Sequence, residues 1–575
     1  MSNTGEMITR VYGNFRGVDF RGEEINLMRS PDALNVWKDY KETDSIRTRP
    51  RLAKVSSQSG KVNGIFFFKG EMLVHSGTSL YKVVNGQNTL LWTKMNNAIS
   101  QSFVYDDVLY IKDGKNYLRY DGTAVQNVVN PDAVSYTNDC YVPTTSIGRK
   151  PNDGTSAGGG TIHEDVNMLQ NRRINTFLAD DVSTVYWLDA TDIDDSFVPI
   201  VKGLHGQELP EYTVDYKNGK ITFKSAPLVT GTDGQDNISV EFAKEITKYR
   251  MAILNCTMLE VFDNRVFYSG NPDYPNVIWH CSLNDPTYVS DLDYYNEGMD
   301  NANIKGMVAG NNALWVFREP SDANTNVFYH TPAIDDTYGK VYPSSHSSIT
   351  TGCVGKAINF NDDIVFFSDR GMEGISGDIT TEQVVEHRST LVDRKLTAEK
   401  DYANMVLAEW EGYLLVFIGN HVYLADSRTA FTNEDHIEYE WFYWELGQKV
   451  RCATVHDGEL YVGTENGIYT ISQNGEEVFE SYWVTPKDKF SNPHMQKTSN
   501  KRGCVAEATG DITVYAKVED TDFQLIGEYK DVKDYFVSRI KRKKFKDMQL
   551  KFHSNTRFSL ETVTLEVWVG GYIKR

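Results

Sequence analysis

The chain has 575 residues, room for three or four domains, with 24% charged and 12% aromatic side chains and a net charge of −20. A mean hydropathy of −0.45, with no apolar run near the ~18 residues a span needs, excludes a membrane-spanning helix, and the opening Met1 to Glu6 lacks a basic-then-apolar signal sequence. Six scattered cysteines (Cys140, Cys256, Cys281, Cys353, Cys452, Cys504) form no C-x-x-C pair, which excludes a zinc ribbon or redox motif and predicts buried, reduced thiols in a chain that first folds in a cytoplasm.

Residues 1–57 read as an extended arm rich in Arg and aromatics, with one helix-like turn at Ser30-Pro31-Asp32-Ala33-Leu34. Phe15, Trp37 and Tyr40 are candidates for insertion into a neighbouring subunit, against packing on their own domain.

From residue 58 an apolar stretch repeatedly breaks at a short turn and resumes with strand alternation. The breaks fall at Lys69-Gly70, Asp106-Asp107, Asp263-Asn264, Asn311-Asn312, Asn361 to Asp363, Glu411-Gly412 and Asp457-Gly458. Asn, Asp and Gly tolerate the positive φ that tight hairpins need. From the fourth break onward the period is roughly 46–50 residues, that of one four-stranded propeller blade. One blade cannot bury both its faces, so blades stack around an axis. The expectation is an all-β chain with a seven-bladed β-propeller, six or eight blades being compatible with the spacing. The blades occupy residues 58–130 and 249–479, and a strand of the arm closes the ring. Helical signal is confined to a short piece around Thr390–Asp401.

Residues 131–248 exceed what a blade needs and read as an inserted small β domain. It opens through a glycine-rich linker, Gly148 to Gly160, and has strands near Thr184–Leu188, Tyr212–Tyr216, Ile221–Phe223 and Ile238–Phe242. Residues 480–575 read as a C-terminal β-sandwich. From Ser481 onward 18 Lys and Arg face 12 Asp and Glu, a net +6 that leaves −26 for the rest. An acidic body argues against tight wrapping of nucleic acid. Arg539, Lys541, Arg542, Lys543, Lys544 and Lys546 form the one dense basic cluster. It is a candidate contact for a partner or for the DNA backbone, against a lysine-protected edge strand.

The arm also carries a resemblance. Asn14-Phe15-Arg16-Gly17-Val18-Asp19, then Arg29-Ser30-Pro31-Asp32-Ala33-Leu34-Asn35-Val36, then Thr48-Arg49-Pro50-Arg51-Leu52 resembles the opening of the tail-nozzle, or packaged-DNA stabilisation, proteins of short-tailed bacteriophages. Arg51 stands where that family usually has glycine. Phe262-Asp263-Asn264-Arg265-Val266-Phe267, Ser269-Gly270-Asn271-Pro272 and Asn284-Asp285-Pro286-Thr287-Tyr288 resemble further stretches of the same family. The resemblance implies a structural virion protein of the tail, assembled in the host cytoplasm as a homo-oligomeric ring of six copies. It implies portal, adaptor and fibre partners, with double-stranded DNA passing through.

Chemistry weighs little in the sequence. Gly154-Thr155-Ser156-Ala157-Gly158 has the spacing of a nucleophile elbow but lacks the preceding apolar strand. His163-Glu164 lacks the second His of a zincin, and the Asp189, Asp192, Asp194, Asp195 loop lacks the glycine of a calcium loop. The reading is a non-enzyme with no cofactor, metal or catalytic residue. The alternatives are a receptor- or glycan-binding propeller at the tail tip and, behind it, a glycan-degrading enzyme.

Overall fold

Seven four-stranded antiparallel sheets, each a propeller blade, follow one another along the chain in a computed structural model. It describes residues 6–572 apart from 23–24, 40–41, 130–139, 148–161, 229–234, 337–338, 377–382, 434–435, 473–474, 476 and 541–543. Blade 1 comprises Val62–Phe68, Glu71–Ser76, Ser79–Val84 and Gln87–Thr93, and blade 2 runs from Gln101–Tyr105 to Val125–Val129. Blades 3, 4, 5 and 6 begin at Met258–Phe262, Ile304–Gly310, Ala357–Phe360 and Val406–Trp410. Blade 4 carries a side hairpin, Ala333–Asp335 with Gly339–Val341.

Each of the seven breaks in the sequence is a hairpin turn between the first two strands of a blade. At all seven the two central residues have positive φ, from 44° at Asp106 to 78° at Gly458. That pair of values defines the type I′ turn, whose twist matches that of the strands it joins. It explains why only Asn, Asp, Gly and an occasional Lys or Glu stand there.

Blade 7 takes three strands, Cys452–His456, Glu459–Gly463 and Gly467–Ser472, from the end of the propeller segment and its fourth, Arg51–Ser57, from the arm. The pairing starts at Arg51↔Ser472 and Leu52↔Ile471. The ring is therefore held shut by backbone hydrogen bonds between residues some 400 positions apart in sequence. Arg51 opens this closing strand and donates to the Gly475 carbonyl at 3.3 Å.

The inserted domain has two sheets. One orders Thr144–Ser146, Arg172–Phe177, Ile238–Ala243 and Ile200–Gly203; the other orders Val185–Trp187, Lys220–Phe223 and Tyr212–Asp215. They enclose a core of their own around Phe177, Tyr186, Ile221, Val240 and Phe242. The chain returns to the propeller through an unexpected helix, α1 (Thr247–Leu254), which has no basic residue in its last turn. Lys112 of blade 2 fills that role instead. Its ammonium donates to the carbonyls of Ile253 (2.9 Å) and Leu254 (2.6 Å), the negative end of the helix dipole. Burial pulls its pKa down to about 8. In the Thr390–Asp401 region a short helix, α2 (Asp393–Leu396), does form, whereas the Ser30–Leu34 turn leads into a strand, Ala33–Leu34.

The C-terminal β domain is one ten-stranded sheet built on two long strands, Met495–Val518 and Phe558–Tyr572. Four of its strands come from the arm: Glu6–Gly13, Ala33–Leu34, Val36–Asp39 and Glu42–Thr48. Ala33–Leu34 lies at one end of the strand order and Val36–Asp39 at the other, separated in sequence only by Asn35. The sheet thus curls until its ends meet, enclosing Cys504, Ile512, Val514, Phe552 and Leu560. The arm, blades 5 to 7 and this sheet share one continuous core.

Candidate functional site

Two surfaces and one junction carry the residues that the sequence singles out. The junction is the arm. Phe15 is 0% and Trp37 2% exposed within a single chain, so neither is available to a neighbour. This corrects the intersubunit expectation for both; Tyr40 lies outside the described residues. Phe15 packs edge-on against Trp483 of the C-terminal sheet at 5.0 Å. Trp37 stacks on Trp410 at 5.4 Å and meets Trp444 edge-on at 5.6 Å, both in blade 6. Each such contact adds about 0.5–1.5 kcal/mol beyond the area it buries.

The polar residues of the arm motifs complete the clamp. Arg29 grips Glu440 of blade 6 with two parallel bonds of 3.1 and 3.0 Å. Ser30 donates to the Val484 carbonyl at 2.7 Å. Asn35, at φ 56°, accepts from Arg49 Nε (2.9 Å) and from the Glu445 amide (2.8 Å) and donates to the Glu480 carbonyl (2.9 Å). Arg49 forms a second fork with Glu477, both bonds 2.9 Å. Gly17, at φ 83°, lies flat against the Trp441 carbonyl, where a Cβ would collide with backbone. The motif residues thus join blade 6, the segment leaving blade 7 and the C-terminal sheet.

The first surface is the turn end of the propeller. Innermost strands of neighbouring blades pack side by side: that of blade 2 on blades 1 and 3, that of blade 4 on blades 3 and 5, that of blade 7 on blades 6 and 1. They run in the same direction, so the type I′ turns gather at one end of the axis. Six carboxylates stand in them (Asp106, Asp107, Asp263, Asp362, Glu411 and Asp457) against a single lysine, Lys69. Below this acidic crown, side chains satisfy the inner strands' backbone edges across blades. Gln101 accepts from the Leu259 amide at 2.8 Å, Glu260 from the Ala309 amide at 3.3 Å, and Trp410 donates to the Gly458 carbonyl at 2.9 Å. Burial holds the Glu260 carboxyl up near pH 7.

The second surface is the basic run. Its described members Arg539, Lys544 and Lys546 are exposed; Lys541, Arg542 and Lys543 lie outside the described residues. The run lies between the strands Tyr535–Ser538 and Met548–Ser554, and its described members Arg539, Lys544 and Lys546 belong to no strand. Phe545 anchors it: 1% exposed, it exchanges backbone hydrogen bonds with Lys497, at 2.7 and 3.0 Å.

Reactive chemistry is thin. Among the described residues no three His, Cys, Asp or Glu side chains gather as a metal site, and none of the six cysteines is in a disulfide. Burial pushes the thiols of Cys256, Cys281, Cys353, Cys452 and Cys504 up to about 12, so they are inert at neutral pH. His387 has a triad-like setting, with Nε2 2.6 Å from Asp393 and Nδ1 3.2 Å from Glu373. Carboxylates occupy both nitrogens, and the nearby Ser389 hydroxyl bonds to Asp393 at 2.6 Å, so no nucleophile is activated. Asp189 is paired with Arg173, and the Gly154–Gly158 stretch lies outside the described residues. No described helix is long and apolar enough to cross a membrane.

The fold is that of a seven-bladed β-propeller protein with an inserted β domain and a C-terminal β domain. No protein-family model and no curated protein matches the chain. Solved structures similar to it include BamB from Moraxella catarrhalis, at 9% identity and TM-score 0.34, covering 79% of this chain and 96% of that one. PorZ from Porphyromonas gingivalis aligns at 13% identity and TM-score 0.24, covering 83% and 70%. The WD40 domain of SCAP from fission yeast aligns at 8% and 0.27, covering 74% and 99%.

Proposed function

We propose that this chain is a structural protein of a short bacteriophage tail, an oligomeric nozzle that extends the DNA channel below the portal and adaptor. The observation that carries the reading is the clamp. Arg16, Gly17, Arg29, Ser30, Asn35 and Arg49, which bear the family resemblance, sit together where the arm binds the propeller to the C-terminal sheet. A motif with that placement serves the fold itself, which is the role the resemblance would ask of it. Two features agree with a conduit. The shared core makes the arm, late blades and C-terminal sheet one stiff body, and the acidic crown repels phosphates, a surface past which DNA slides without adhering.

Light scattering on the purified protein, alone and with a portal–adaptor assembly, tests the reading. A ring-sized particle in either sample supports it. A 65.3 kDa monomer that never joins the assembly overturns it in favour of the receptor-binding alternative, which glycan retention on a column would then examine.

A further inference from the structure

Between the arm and the hairpin turns of blades 6 and 7 lies a recess of about 250 Å³, whose lining includes Trp37, Asp39, Trp410, Glu411, Gly458 and Glu459. Its charges do not balance. The lining holds three carboxylates and, among the described residues, no lysine or arginine. Asp39 has a cation beside it, Arg47 at 3.8 Å. The Glu411 carboxylate makes no hydrogen bond or ion pair with the described residues, and that of Glu459 accepts only from the Thr470 hydroxyl, at 3.2 Å.

Two indoles form one wall. Trp37 and Trp410 stack at 5.4 Å with their planes 14° apart, and both are buried. The Trp410 Nε1–H donates to the Gly458 carbonyl at 2.9 Å. The Trp37 Nε1–H is buried and meets no acceptor among the described residues, an uncommon state for such a donor. An acceptor brought by a ligand would satisfy it, and a positive charge on the same ligand would pair with the two carboxylates. The low dielectric beside the indoles strengthens that attraction.

We infer that this recess binds a guanidinium group, held by Glu411 and Glu459 beside the two indoles, with an oxygen of the same ligand accepting from Trp37 Nε1. A guanidinium suits the site better than an ammonium, because it is flat, weakly hydrated and forks its donors onto carboxylates. A small free guanidine and an arginine side chain of a docked chain present the same chemistry. The inference stands apart from the tail reading, since it concerns one chain and needs no ring.

Calorimetry and thermal melts on the full chain test it, with γ-guanidinobutyramide and the blocked tripeptide acetyl-Gly-Arg-Gly-amide titrated at constant ionic strength against sodium chloride. The expected result is saturable binding with a rise in Tm of at least about 1 °C. Binding of the tripeptide assigns the site to an arginine side chain, and binding of γ-guanidinobutyramide alone assigns it to a free guanidine; both support the inference. Glu411→Gln with Glu459→Gln is expected to weaken binding about tenfold or more, with Tm in sodium chloride no lower than in wild type. Asp106→Asn with Asp362→Asn, which takes two charges from the turns of blades 2 and 5 instead, is expected to leave binding intact. Absence of saturable binding overturns the inference. So does binding that survives the Glu411 and Glu459 substitutions, or binding that disappears with those at Asp106 and Asp362.

Discussion

Arg29 and Glu440, 411 positions apart in sequence, form a two-bond ion pair with side chains 10% and 1% exposed. Such a pair contributes little over a well-packed apolar substitute, but breaking it strands a buried charge. Burial raises the Glu440 carboxyl above its ordinary value, and the bonds and charge of Arg29 oppose that rise.

Arg29→Met is therefore expected to cost about 3–5 kcal/mol in urea unfolding at pH 8. The cost shrinks at pH 5, where Glu440 can take up a proton and shed its charge. The double variant Arg29→Met, Glu440→Leu recovers most of the loss. A double variant as unstable as Arg29→Met would show that the pair itself, and not the stranded carboxylate, holds the arm.

Gly17 and Gly70 separate two reasons for a glycine. Both have positive φ, 83° and 76°, but a Cβ on Gly70 meets nothing, while one on Gly17 runs into the Trp441 carbonyl. Gly70→Ala is expected to cost about 1 kcal/mol from backbone strain alone. Gly17→Ala costs more, because the arm must lift off blade 6. Hydrogen exchange across Gly13 to Asp19 is the check: protection falls in Gly17→Ala and is unchanged in Gly70→Ala.

His387 gives the chain a defined pH response. Burial by itself would lower its pKa, but the hydrogen bonds and charges of Asp393 and Glu373 outweigh it and raise the value from 6.5 to about 10. A folded-state value above the unfolded one stabilises fully below pH 6.5, and the contribution fades as pH climbs to 10. His387→Gln is accordingly expected to lower Tm at pH 6 and to narrow the gap to wild type by pH 10. Equal gaps at both pH values would remove the imidazolium from the account.

The seven turns were legible because each demands positive φ at two adjacent residues, and only a few residue types meet that demand cheaply. Blade repetition followed from their spacing. The inserted domain showed itself through the strands that alternate and missed those that do not, such as Arg172–Phe177 and Ile200–Gly203. Helix α1 escaped because its last turn carries no basic residue of its own; Lys112, on a strand of blade 2, meets its final carbonyls instead.

The arm and the basic run show where a sequence alone stops. Trp37 looks the same in the chain whether it enters a neighbour or its own core, since its partners Trp410 and Trp444 stand more than 370 positions away. Lys544 and Lys546 flank Phe545, whose backbone pairs with that of Lys497, a partner some 48 positions away that no local pattern announces. The sequence by itself determined the turns, the blades and the all-β class, because φ preference and two-residue alternation are properties of adjacent residues. Closure of the ring by an arm strand was expected from the sequence; only the tertiary structure decided that Phe15 and Trp37 pack within their own chain and that four further arm strands complete the C-terminal sheet. Burial and hydrogen-bond satisfaction depend on which distant segment arrives, and no local pattern encodes that choice.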